Sequence, residues 1–192
     1  MASPAKKLVD NILTVCDTLE DTPVGIRKDH PGFSLRKAFT LDVVQFIMYL
    51  SASDGHVTWR EADYLSELMD MRLTPDDMYK ISKERNVYSV EFEEKVPLSL
   101  QLFVKADKWM LSLGKKDNAN LAKTVIDGFY EIVGRDFIKC DGDVDSNEVR
   151  DLNIYLGTLR DYVRRELDTG TVKATYGGNS LKSHYEKLKK TD

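Results

Sequence analysis

The chain has 192 residues, long enough to bury one core, and its 42% hydrophobic content excludes the composition of a disordered chain. Its 28 basic and 32 acidic residues leave a net charge of −4, which gives no general attraction to nucleic acid or to anionic lipid. The longest apolar run, Val43 to Leu50, is interrupted by Gln45 and falls far short of the roughly 20 residues that a membrane-spanning helix needs, so no membrane insertion is expected.

Ser3-Pro4 places a side-chain oxygen at an N-cap and proline at the first helical position, and Leu8, Ile12, Val15 and Leu19 then mark one face of a first helix ending near Asp21. Lys6-Lys7 do not open a signal peptide, because Asp10 and Asn11 break the apolar stretch after them, and the protein is expected to be cytoplasmic. Cys16 and Cys140 stand at helical positions among apolar neighbours and read as buried free thiols. Pro23, Gly25, Pro31 and Gly32 make residues 22 to 36 a loop. A second helix is expected from about Phe39 to Ser53, where Leu41, Val44, Ile47, Met48 and Leu50 are dense enough to make it central and buried.

Asp54-Gly55 ends that helix, since glycine takes the left-handed conformation a helix terminus often needs. Thr58 and Glu61 then form a threonine-x-x-glutamate capping box, with Val57 placed to staple against Ala62, and Tyr64, Leu65, Leu68 and Met69 carry the apolar stripe of a third helix. Thr74-Pro75 starts a fourth, running to about Arg85, and residues 86 to 95 read as loop. Pro97 opens a fifth through Leu98, Leu102, Ala106, Trp109 and Leu113, closed by Gly114. Asn118 is expected to cap the next, whose core face is Leu121, Val125, Phe129, Ile132 and Phe137; its internal Gly128 and Gly134 weaken it by ~1 kcal/mol each. After a second acidic turn, Asp145 and Glu148 repeat the capping arrangement, and a long helix follows to about Leu167. Residues 1–168 thus form a single all-α domain of about seven helices, and 169–192 a flexible tail in which Ser180 to Lys190 makes a short basic helix.

The two acidic turns share one frame. Asp54-Gly55-His56-Val57-Thr58-Trp59-Arg60-Glu61 and Asp141-Gly142-Asp143-Val144-Asp145-Ser146-Asn147-Glu148 both read Asp-Gly-x-Val-x-x-x-Glu, every position of the second standing 87 residues after its counterpart. Apolar positions keep the same offset: Leu50 with Phe137, Ala62 with Val149, Leu65 with Leu152, Met69 with Leu156. Two pseudo-repeats, around 41–70 and 128–163, follow from this. Carboxylates gathered in a tight turn suit hard cations such as calcium or magnesium, so Asp54, Glu61, Asp141, Asp143, Asp145 and Glu148 are the candidate metal ligands. A true EF-hand is excluded, since Ser146 stands where glycine should turn the loop and Leu152 where the bidentate glutamate should be. The same frame is also explained without a metal, as a helix stop, a cap and a capping box.

The doubled DGxVxxxE frame, after an apolar helix and before a capped one in an all-helical chain of this length, resembles the TerB-like proteins associated with tellurite resistance. That resemblance implies an all-helical bundle with two acidic turns that bind divalent metal, and a non-enzymatic, stress-linked role alongside protein partners at membranes or in signalling. On this resemblance Asp54, Glu61, Asp141 and Glu148 match the family frame, while Asp143 and Asp145 are additional acids and His56 departs from a symmetric acidic pair. Elsewhere the chain has no phosphate loop, no nucleophile elbow and no histidine at a zinc-ligand interval from a second histidine or a cysteine. The few lysines from Lys182 to Lys190 read as a solvated face rather than a nucleic-acid interface. Trp59 and Trp109 read as packing residues, with Trp59 placed to be partly exposed and to meet a partner. The alternative to a metal-binding protein is a metal-free helical interaction module whose turns are only helix caps.

Overall fold

Ser3 accepts the Lys6 N–H and Pro4 supplies a preset backbone angle, so α1 (Pro4–Glu20) begins where its sequence demands. The computed structural model describes residues 3–53, 55–87, 92 and 94–167. The expected basic helix at Ser180 to Lys190 and the candidate ligand Asp54 therefore lie outside the described residues. Six further helices of seven residues or more follow α1: α2 (Leu35–Ser51), α3 (Trp59–Met69), α4 (Pro75–Arg85), α5 (Leu98–Ser112), α7 (Glu131–Phe137) and α8 (Ser146–Leu167). Between α5 and α7, the short α6 (Leu121–Val125) and a π-helical turn (Ile126–Tyr130) run into α7 as one rod. The protein is all-α, with no strand among the described residues.

Two helix starts differ from expectation. The second helix begins at Leu35 rather than Phe39, and its first donors are taken by Ser34 Oγ, which accepts the Lys37 N–H, and by the Glu20 carboxylate, which accepts the Leu35 N–H. Asn118 caps nothing: it ends a 3₁₀ turn (Lys116–Asn118), and the following helix starts at Leu121. The Asp107 carboxylate, 1% exposed, accepts the Leu121 N–H at 2.8 Å and the Ala122 N–H at 2.9 Å. At α6 a carboxylate on the preceding helix thus satisfies orphan donors that a local side chain was expected to satisfy, and at α2 Glu20 adds a bond to those of the local cap Ser34.

α2 lies at the centre, packed against α1, α3, α4, α5, α7 and α8. Phe46 stacks on Tyr155 of α8 with ring centres 5.2 Å apart, and Phe39 meets Phe103 of α5 at 6.1 Å, edge to face. One buried cluster draws side chains from every helix, including Met78 of α4 and the lone Phe92, whose ring lies 5.4 Å from Tyr49. Four residues expected on apolar faces are exposed instead: Leu41 of α2, Leu98 of α5, Leu113 after α5, and Ile132 of α7.

The duplication extends further than the turns. At the same 87-residue offset, Glu20 pairs with Asp107, and both are buried carboxylates that accept the first N–H groups of the next helix. Phe39 with Ile126, Phe46 with Val133, Leu50 with Phe137 and Leu65 with Leu152 are buried in both copies. The units are thus α1–α2–turn–α3 and α5–α6–α7–turn–α8. One element breaks the match: Val57 is half-buried against the core, but Val144 is 52% exposed, so the hydrophobic staple exists only in the first unit.

Candidate functional site

In both turns the glycine has a positive φ, 80° at Gly55 and 91° at Gly142, a conformation that costs a side-chain-bearing residue but not glycine. Each reversal is followed by a capped helix. Thr58 Oγ accepts the Glu61 N–H at 3.2 Å, and the Glu61 carboxylate accepts the Thr58 N–H at 2.6 Å, completing the expected capping box. In the second turn, Asp145 Oδ1 accepts the Asn147 N–H at 2.6 Å and its carbonyl accepts the Val149 N–H at 3.2 Å, which makes Asp145 the N-cap of α8. Asp141 Oδ1 accepts the Asp143 N–H at 3.0 Å and so shapes the loop itself.

The fold brings the two turns side by side. Arg60, in the first turn of α3, donates from Nη1 to the Asp141 carbonyl at 2.6 Å. Cys140 stands between carboxylates of both turns: burial, then the charges of Glu61, Asp141, Glu148 and Asp136, push its thiol up to about 12. Tyr64 of α3 also reaches α7, its hydroxyl donating to Asp136 at 3.1 Å, and burial together with that carboxylate raises its pKa. Sequence reasoning missed Arg60 as the link, since its partner is a backbone carbonyl 81 positions away, which leaves no signature in residue type or spacing.

The six candidate ligands fall into three groups. Glu61 and Glu148, 5% and 7% exposed, are buried equivalents at the third helical position of α3 and α8. Asp141 and Asp145 are half-buried and each holds a backbone donor, while Asp143 is exposed. Asp54 lies outside the described residues. Among the described residues, no group of three histidine, cysteine, aspartate or glutamate side chains is placed to hold a metal ion. The donors present are oxygens of the right chemistry for calcium or magnesium, and those of Glu61, Asp141 and Asp145 each accept a backbone N–H of their own turn.

Trp59, adjacent to the linking Arg60, is 65% exposed, and Val144 on the other turn is exposed beside Asp143. Trp109 is half-buried against the core, as a packing residue should be. Both cysteines are free thiols; Cys16 is buried as expected, and Cys140 only partly so. Among the described residues no helix is long and apolar enough to cross a membrane. No family model, no curated protein and no solved structure matches this chain.

Proposed function

We propose that the protein is a non-enzymatic, cytoplasmic helical module that acts through a protein partner, its paired acidic turns serving as helix caps that lock two duplicated units together. The observation that carries this reading is the commitment of the turn carboxylates: Glu61 is buried and bonded to the Thr58 N–H, and Asp145 to the Asn147 N–H. Burying a carboxylate without such a partner is costly, and these partners offset that cost. Trp59 supports the partner role, as a large exposed aromatic beside a rigid, charged edge is the residue type that anchors protein interfaces.

A second reading is favoured by the closeness of the two turns. In it the protein is TerB-like, linked to stress response, and binds a calcium- or magnesium-type ion through Asp54, Glu61, Asp141, Asp143, Asp145 and Glu148. Its support is the Arg60–Asp141 bridge, through which the two acidic turns touch, and the doubled frame itself. Thermal unfolding in chelator, then with added calcium, magnesium, manganese or zinc, separates the two. An ion bound only by the native state at 100 times its dissociation constant adds about 2.7 kcal/mol. The module reading expects no shift with any ion, and equal losses for Glu61→Ala and Glu148→Ala with or without chelator. A selective rise that disappears in Asp141→Asn would overturn it in favour of the metal-binding reading.

A further inference from the structure

The correspondence between the two units stops at Leu156, the counterpart of Met69. There α3 ends, with Asp70 at its C-cap in the left-handed conformation at φ 52°, whereas α8 continues to Leu167. That extension of about three turns has no equivalent in the first unit. It is not idle: Arg160, Val163, Arg164 and Leu167, all on it, form one wall of a groove of about 520 Å³. The facing wall comes from α6 and the π-helical turn, through Lys123, Ile126 and Asp127.

The groove has an apolar floor and a cationic rim. Ile126 and Val163 are 1% and 8% exposed and are part of the core, with Leu167 packed against them. Around them stand three cations, Lys123, Arg160 and Arg164, against one carboxylate, Asp127, in a chain whose net charge is −4. Arg160 is fixed: it donates to Asp127 at 2.8 Å and also to the Glu131 carboxylate. Among the described residues, Arg164 pairs only with Asp161, an exposed pair on its own helix, and Lys123 makes no ion pair. The first N–H groups of α6 are already taken by Asp107, so any attraction for an anion resides in these side chains.

We propose that this groove binds a small amphiphilic anion, an aliphatic or aryl body carrying a carboxylate, sulfonate or phosphate. The body lies on Ile126, Val163 and Leu167, and the head group meets Lys123 and Arg164, while Arg160 holds the rim in shape. A volume of this size is in the range of small-molecule sites, roughly 300–1,000 Å³. A neutral apolar ligand would leave the cations unanswered.

The test is calorimetric titration of the full chain with decanoate, with 1-decanol and acetate as body-only and head-only controls, and hydrogen exchange to locate the site. The expected result is one decanoate per chain, protection confined to residues 119–127 and 157–167, and at least about tenfold weaker binding of either control. Lys123→Gln with Arg164→Gln, both exposed residues, should weaken decanoate about tenfold while leaving the melting temperature unchanged. Absence of saturable binding, equal affinity for 1-decanol, or an unaffected double variant would overturn the proposal. So would displacement of decanoate by a synthetic peptide of residues 169–192 with the same protection pattern, which would assign the groove to the chain's own tail.

Discussion

Two glycines on one helical rod should respond to the same substitution with opposite consequences. At Gly128 an added Cβ would meet only Thr124 Cγ2, at 3.9 Å, an ordinary contact. At Gly134 it would stand 2.6 Å from Leu152 Cδ1 and 3.0 Å from Phe46 Cζ. Neither neighbour has room to yield, since Leu152 is 1% exposed and Phe46 is held by rings of Tyr130 and Tyr155 at 5.0 and 5.2 Å. Alanine gains ~1 kcal/mol over glycine in a helix at either position. The gain cancels in a comparison of the two variants, which isolates the cost of overpacking at Gly134, about 1–3 kcal/mol. Urea unfolding of Gly128→Ala, Gly134→Ala and wild type, fitted with a common slope, measures that difference. Gly128→Ala should be the most stable of the three, melting about 2–4 °C higher for each kcal/mol gained in a chain of this size. If the two variants unfolded at the same urea concentration, the close approach of α7 to α2 and α8 would be wrong.

Two further predictions follow from carboxylates that the fold buries. The Cys140 thiol, pushed from 9.0 to about 12 by burial and by Glu61, Asp141 and Glu148, should be alkylated by iodoacetamide roughly a thousandfold more slowly than a free cysteine at mildly alkaline pH, because only the thiolate reacts. Peptide mass spectrometry over time measures this, and labelling at the rate of the urea-unfolded protein would refute the placement of Cys140. Asp107→Ala should destabilise by about 1–3 kcal/mol for each backbone donor left buried, and Asp107→Asn by less, since the amide oxygen still accepts one N–H. Denaturant unfolding of the pair checks it, and an alanine variant as stable as wild type would show that the start of α6 is satisfied in another way.

Three helix starts were legible because their signal is local. Ser3-Pro4, Thr58 with Glu61 and Thr74-Pro75 each stand within four residues of the donors they satisfy, and all three helices start where those residues place them. The start of α6 was misplaced because its cap, Asp107, sits on another helix, 14 positions from the Leu121 N–H, whereas α2 starts at a local N-cap, Ser34, that the prolines and glycines before it obscured. Exposure of Leu41 and Ile132 was hidden for a related reason: periodicity shows that a face is apolar but not where on its helix the neighbouring helix ends. The duplicated frame was legible as spacing, yet its consequence, that the two turns touch, depends on Arg60 reaching a main-chain carbonyl of the other unit.

That contact also bears on why the frame recurs with different acids. A glycine reversal followed by an N-cap and a buried glutamate is needed at both places, because in both an apolar helix from the core must turn back against it; Gly55 with Gly142 and Glu61 with Glu148 meet that need alike. The positions between are free to differ once capping is satisfied, and they do: threonine caps α3 where aspartate caps α8, and Arg60 stands where the other unit has Asn147. The two units therefore meet through a position at which they differ, and they differ again beyond Leu156, where α8 runs on to wall a groove while α3 ends at Met69.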